Sequence, residues 1–277
     1  MPSMTSSPPP ARPVTPSPAA TLVLLRDGAD GAVEALLLQR HGKSKFAAGD
    51  HVFAGGKVEA EDIPDDVERH CRALTAEEAA SCLGDGLAGR EALAYWVGAI
   101  REAFEEAGIL LAYTAHGELV RFTTDNSERF RAYRTACQQS NQAFFPMLRS
   151  EHLTLATDRL VYFAHWITPE ENPIRFDTRF FVAVAPPDQD AQVDGHEIVA
   201  SRWLSPVGAI EAMRRQEISL RAPTMKNLDI IGAAKAGATA SEVVASLRGR
   251  SVPTIRPRIL AVEGRRVAVL PGDPRWY

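Results

Sequence analysis

Ile100-Arg-Glu-Ala-Phe-Glu-Glu-Ala-Gly-Ile109 decides how this chain is read. The segment predicts the last turns of a helix ending at Gly108, the residue type that enters the left-handed cap conformation most easily. Glu102, Glu105 and Glu106 stand at i, i+3 and i+4, so their carboxylates leave one face. Trp96, Ile100, Ala103 and Ala107 fall on the other side and form the core-facing stripe. Like charges one turn apart repel by roughly 0.2–0.5 kcal/mol per pair. A divalent cation reverses that sign, because hard ions such as Mg²⁺ take carboxylate oxygens. Taken alone, such a cluster is usually a solvated helix face.

Upstream lies Phe53-Ala54-Gly55-Gly56-Lys57-Val58-Glu59-Ala60-Glu61-Asp62, a strand-like run entering a double glycine and then an acidic loop. Together the two segments resemble the Nudix box, Gly-x5-Glu-x7-Arg-Glu-U-x-Glu-Glu-x-Gly-U, with U apolar. Gly56 begins it, Asp62 stands where Glu is usual, and Arg101 to Ile109 match every specified position of its second half. The spacer, residues 63 to 100, is far longer than the family's.

The totals set wide bounds. With 277 residues, 45% hydrophobic and 24% charged, the chain suits one generous core with additions. A net charge of −4 offers no basic footprint for nucleic acid. No apolar run approaches membrane-span length, so no membrane partner is expected. Cys71, Cys82 and Cys137 form no metal spacing and point to a reducing, cytoplasmic setting.

Along the chain, residues 1–19 are Pro-, Ser-, Thr- and Ala-rich and read as a disordered tail. Residues 20–250 form the main domain, and 251–277 are a C-terminal extension with a hairpin through Glu263-Gly264. Ala20–Leu25 and Val33–Gln39 are strands about a turn at Asp27–Gly31. The run Leu36-Leu37-Leu38 suits a strand buried on both faces. Residues 63–90 form an insertion within the box, with a short helix after Thr75 stopped by Gly84, expected as a flap beside the site. Asn126–Phe145 predicts one amphipathic helix. Strands follow at Leu160–Ile167, Thr178–Val184 and Ile198–Leu204. A helix opens at Ser205-Pro206, and further helical stretches come near 226–234 and 241–247.

The resemblance implies an α/β (α+β) Nudix α/β/α sandwich with a mixed sheet, a helical insertion and a helical C-terminal extension. It also implies Mg²⁺ or Mn²⁺ as cofactor. Glu105 and Glu106 would be the principal metal ligands, Glu102 a further ligand or the base, and the Gly56 carbonyl another donor. Arg101 either holds the carboxylates apart by ion pairing or contacts a phosphate. In Asp194-Gly195-His196-Glu197, Glu197 is the candidate for a further catalytic acid, with a plain loop acid as the alternative. His196 is a candidate substrate contact, and His165, inside an apolar strand, reads as a core histidine.

The run Leu36 to Arg40, then Lys45, Gly49, Phe53, Gly55 and Gly56, is similar in spacing to a signature of coenzyme A diphosphatases. Leu38, His41, Lys45 and Ala54 depart from it. The long box insertion, Ala164 to Glu170 and Arg175 to Phe181 resemble the peroxisomal-type branch of that family. Arg40, Lys43 and Lys45 could then meet the 3′-phosphate or diphosphate of a CoA-like substrate, with Gly55 and Gly56 at the substrate. A solvated basic loop is the other reading of these cations. The expected function is metal-dependent hydrolysis of CoA or acyl-CoA. The alternatives are an ADP-ribose or dinucleotide pyrophosphatase and a silent nucleotide-binding module. Oligomeric state stays open, a dimer among the options.

Overall fold

The computed structural model describes residues 14–44, 47–262 and 265–274. β1 (Ser17–Asp27) and β2 (Val33–Arg40) pair antiparallel, and β3 (His51–Val52) and β4 (Ala54–Lys57) follow. β1 thus begins inside the stretch expected to be tail. Its parallel pairing with β8 runs back to Ser17 opposite Phe176, and the Ser17 N–H donates to the Arg175 carbonyl at 2.9 Å, so tertiary pairing holds this end as strand despite Pro18.

The box insertion then supplies α1 (Ala76–Leu83). Thr75 accepts from the Glu78 N–H while Glu78 reaches back to Thr75, a reciprocal cap. α2 (Gly89–Ala107) is the long helix, closed by Gly108 at φ 70°. α1 packs against α2 through Ala79 and Leu83, and Asp85 beyond it bonds Arg179 at 2.8 Å. No residue of the insertion lines the cavity that holds the carboxylates. The flap expected beside the site lies elsewhere because its apolar side chains are buried in the core beside α2.

β5 (Ala112–Tyr113) leads to α3 (Ser127–Gln139) and α4 (Phe144–Ser150). One helix was expected over 126–145; instead Ser140 is extended at φ −159°, ψ 123°. Proline explains the break. Inside a continuous helix Pro146 would lack its N–H and clash with the Gln142 carbonyl, whereas a restart at Phe144 puts it in a first turn.

The rest is β6 (Thr154–Leu155), β7 (Val161–Ile167), β8 (Phe176–Val184), β9 (Ile198–Leu204), α5 (Pro206–Arg214), α6 (Ala222–Gly232) and α7 (Ala240–Leu247). β10 (Thr254–Ile255), β11 (Arg258–Val262) and β12 (Arg265–Val269) close the chain. β11 and β12 pair antiparallel, so the expected hairpin forms; its turn at Glu263-Gly264 lies outside the described residues.

The main sheet runs β10-β7-β8-β1-β2-β3, with β4 also on β1 and β9 also on β2. It is mixed: β1 is parallel to β8 and antiparallel to β2 and β4. Leu36 and Leu38 face the core with α1 to α4, while Leu37 faces the core with α5 to α7. The molecule is therefore an α/β/α sandwich with β2 buried on both sides. Among the described residues no helix is long and apolar enough to cross a membrane.

Candidate active site

The carboxylate face of α2 meets the sheet where β4 lies against β1. There Gly55 pairs with Thr21 and Gly56 with Ala20. The Gly55 N–H donates to Glu106 Oε2 at 2.9 Å. A Cβ on Gly56 would lie 2.5 Å from Glu102 Oε1, so only a bare backbone lets Glu102 rest against it.

Beneath the face sits Arg101, 1% exposed. Its Nε and Nη2 donate to the two oxygens of buried Asp62, at 2.7 and 3.1 Å. Nη1 reaches Glu102 at 2.8 Å and Glu105 at 3.2 Å, and Nη2 also donates to the Lys57 carbonyl at 2.9 Å. Burial works against this charge, yet Asp62, Glu102 and Glu105 keep the guanidinium protonated above its usual range. Of the two roles open to Arg101, the ion-pairing geometry is the one present. A one-turn 3₁₀ segment, Ala60–Asp62, aims the Asp62 side chain, which also accepts from the Glu59 N–H.

On the open side Arg40, at the end of β2, bridges Glu106 Oε1 at 3.5 Å and Glu197 Oε1 at 2.6 Å. Lys43 is exposed on the following turn, and Lys45 lies outside the described residues. Burial pushes the Glu105 carboxyl up to about 8; the adjacent Arg101 opposes and Glu102 reinforces the shift. Burial likewise raises Glu102, against Arg101, and raises Glu106 well above its ordinary range, with Glu102 adding to it.

Among the described residues no three acidic, His or Cys side chains converge as a ready-made metal cluster. Arg101 stands between Glu102 and Glu105, and Arg40 between Glu106 and Glu197. The donors still suit a hard divalent cation. They are all oxygens, their charges are desolvated, and Glu105 Oε1 is buried without a hydrogen-bond partner.

Several positioning groups escaped the sequence reading. From α3, buried Arg134 donates to the Glu105 and Glu106 carbonyls, both at 2.9 Å, and Gln138 to the Glu105 carbonyl at 2.8 Å. These bonds satisfy carbonyls that the end of α2 leaves without helical partners. Gln138 also approaches Asp194 Oδ2 at 3.5 Å. Asp194 Oδ1 in turn accepts from the N–H groups of His196, Glu197 and Ile198 at 2.7, 2.9 and 3.1 Å. The Gln192 N–H reaches the Ala107 carbonyl, and the Gln189 side chain is bonded to Leu110 and Val120. The one available signal was an arginine beside the apolar stripe of α3. His196 is exposed, and His165 is buried between Asp177 and Thr254.

The carboxylates, Arg40, Glu197, Gly55 and Gly56 all line one cavity of about 780 Å³. It extends from them across the sheet face formed by Ala19, Thr21, Thr178, Phe180 and Trp166.

Comparisons with known proteins extend this geometry. The acyl-coenzyme A diphosphatase NUDT19 of Gallus gallus is 30% identical over 255 residues, covering 76% of this chain and 66% of that protein. The Xenopus laevis protein of the same name is 26% identical over 226 residues, 70% of this chain, and the match spans only 58% of its own length. A Nudix hydrolase structure from Alicyclobacillus acidocaldarius superposes with a TM-score of 0.67 at 24% identity, covering 84% of this chain and 97% of that one. That likeness is one of fold. The family model of the NUDT19 Nudix domain matches residues 69–231, more than half of the chain and inclusive of the whole carboxylate helix face. On that match, the chain belongs to the NUDT19 Nudix domain family.

Proposed function

We propose that this chain hydrolyses a nucleoside diphosphate linked to a second moiety, with coenzyme A or an acyl-coenzyme A as substrate and Mg²⁺ or Mn²⁺ as cofactor. The observation that carries the reading is the carboxylate face of α2 opening, beside two glycines and an arginine, into one cavity. The relatives named as acyl-coenzyme A diphosphatases support the choice of substrate.

Glu102, Glu105, Glu106 and the Gly56 carbonyl would hold the cation, which supplies charge neutralisation at the diphosphate oxygens. Arg101 and Asp62 keep the glutamates at fixed spacing under that load. Arg40 turns from Glu106 and Glu197 toward a diphosphate oxygen. Water adds to one phosphorus, the bridging P–O bond breaks, and the proton from the water passes to a carboxylate, Glu197 or Glu102. The products are a 3′,5′-ADP-type nucleotide and a 4′-phosphopantetheine or its acyl form.

A panel of CoA, acyl-CoA, ADP-ribose and NADH, each with Mg²⁺, with Mn²⁺ and with EDTA, tests the reading. Hydrolysis of CoA or acyl-CoA that stops in EDTA and returns with metal is expected. Preference for ADP-ribose or NADH moves the substrate to a dinucleotide-like diphosphate. Tight nucleotide binding without hydrolysis of any of them leaves a silent binding module.

A further inference from the structure

The cavity is longer than the carboxylate site at its end, and its far part has its own chemistry. Its floor is a row of in-register strand neighbours. Gly55 of β4, next to Gly56, pairs with Thr21 of β1. Thr21 pairs with Phe180 of β8 and Ala19 with Thr178, and Thr178 pairs with Trp166 of β7. Adjacent strands lie about 4.8 Å apart, so β4 to β7 spans roughly 14 Å. Arg40 stands on the opposite side of the carboxylates, at the end of β2.

Over the β7 end lies the β11–β12 hairpin. It is a separate two-stranded sheet, a unit with little stability of its own in water. Ile259 and Ala268, a cross-strand pair, and Pro257 before them turn one face to the cavity. Trp166 is 3% exposed on this wall, and its indole N–H has no hydrogen-bond partner. A buried unpaired donor is costly, and an incoming acceptor removes that cost. Apolar contacts, with an unpaired indole N–H in the wall behind them, suit a long flexible arm that carries amide carbonyls and ends in hydrocarbon.

We infer that the stretch from Thr178 and Phe180 through Trp166 to the inner face of the hairpin is the subsite for the acyl-pantetheine arm. The nucleotide half then leaves on the Arg40 side. The inference rests on the proposed diphosphate hydrolysis for its orientation, and its test does not need hydrolysis. Dodecanoyl-pantetheine has the arm and lacks the nucleotide and diphosphate. In calorimetric titrations of the full chain it should bind, with Kd raised ten-fold or more by Ile259→Glu and by Trp166→Phe. Circular dichroism and Tm measurements check that the variants are folded, and Ala268→Leu, at an exposed strand position, serves as a third variant if either is not. That change should weaken dodecanoyl-pantetheine more than pantetheine itself. Absence of binding to the parent overturns the subsite, as does equal affinity across parent and folded variants, whatever the enzyme does to CoA. Binding of this pattern in a protein that hydrolyses no CoA leaves the subsite standing and removes the proposed reaction instead.

Discussion

Gly55 and Gly56 are neighbours with different reasons for being glycine. A Cβ at 56 meets the carboxylate of Glu102, the far end of a side chain, whereas a Cβ at 55 meets backbone: the Ala20 carbonyl at 2.6 Å and the Thr21 Cα at 2.8 Å. Gly56→Ala should therefore displace a carboxylate and lower kcat at least ten-fold with little change in Tm. Gly55→Ala should lower Tm by several degrees, because strand pairing has to move. Thermal melts beside steady-state kinetics separate the two, and matching profiles for both variants contradict this account. Arg40 carries a second test at this scale. It touches Glu106 and Glu197, so its partner on substrate is argued to be the diphosphate. A charge-assisted hydrogen bond of about 1.5–3 kcal/mol corresponds to roughly a ten- to hundred-fold loss on Arg40→Ala. That loss should be similar for CoA and dephospho-CoA; a loss confined to CoA would assign Arg40 to the 3′-phosphate.

At the scale of elements, the site depends on how three segments are tied to the end of α2. Arg134 and Gln138 of α3 hold the Glu105 and Glu106 carbonyls, and Asp194 gathers the three N–H groups that orient Glu197. Asp194→Ala should free the Glu197 loop without removing any carboxylate from α2. The expected result is a fall in kcat of about ten-fold, a KM within roughly two-fold of the parent, and partial recovery in Asp194→Asn, which keeps an acceptor oxygen. If instead Asp194→Ala only lowers Tm and leaves kcat intact, Glu197 takes no part in the chemistry. α2 itself is held by the Arg101–Asp62 pair, which ties it to the turn after β4. Removing one partner of such a pair strands a buried charge, at a cost of about 3–5 kcal/mol. Asp62→Ala should thus cost stability as well as activity.

For the whole molecule, burying three carboxylates together makes stability depend on pH and on cation. The Glu105 carboxyl is raised in the folded state from 4.5 to about 8. The stability linked to it is complete below 4.5 and is lost as pH rises through about 8. Glu102 and Glu106 are shifted in the same direction. His51 works the other way: burial lowers its pKa, so its contribution is lost as pH falls below the ordinary 6.5. Above 6.5 only the carboxylate effect remains of these, and the Tm of chelator-treated protein should fall toward pH 8. Mg²⁺ or Mn²⁺ should restore more Tm at pH 8 than at pH 6.5, since cations bind the ionised face. A metal-free Tm that rises between those pH values contradicts the buried-carboxylate account.

From the linear chain alone, the carboxylate helix and its glycine cap, the glycine pair, the insertion helix and most strands could be read, because each rests on local spacing. Three carboxylates at i, i+3 and i+4 share a face in any α-helix, and the apolar run Leu36 to Leu38 suits a strand covered on both sides. What folding decided depends on contacts between residues far apart in the chain. Asp62 reaches Arg101 from 39 positions away, Arg40 reaches Glu197 across 157, and Arg134 reads the Glu105 carbonyl 29 positions upstream. The seat of the insertion followed from which apolar side chains α2 could cover, and the break before α4 from where Pro146 could be tolerated. Neither has a spacing signature: the first depends on the shape of the finished core, the second on a choice between two helix registers that packing settles. The cavity shares that origin, since its floor is made of residues from β4, β1, β8 and β7 that become neighbours only when the mixed sheet is complete.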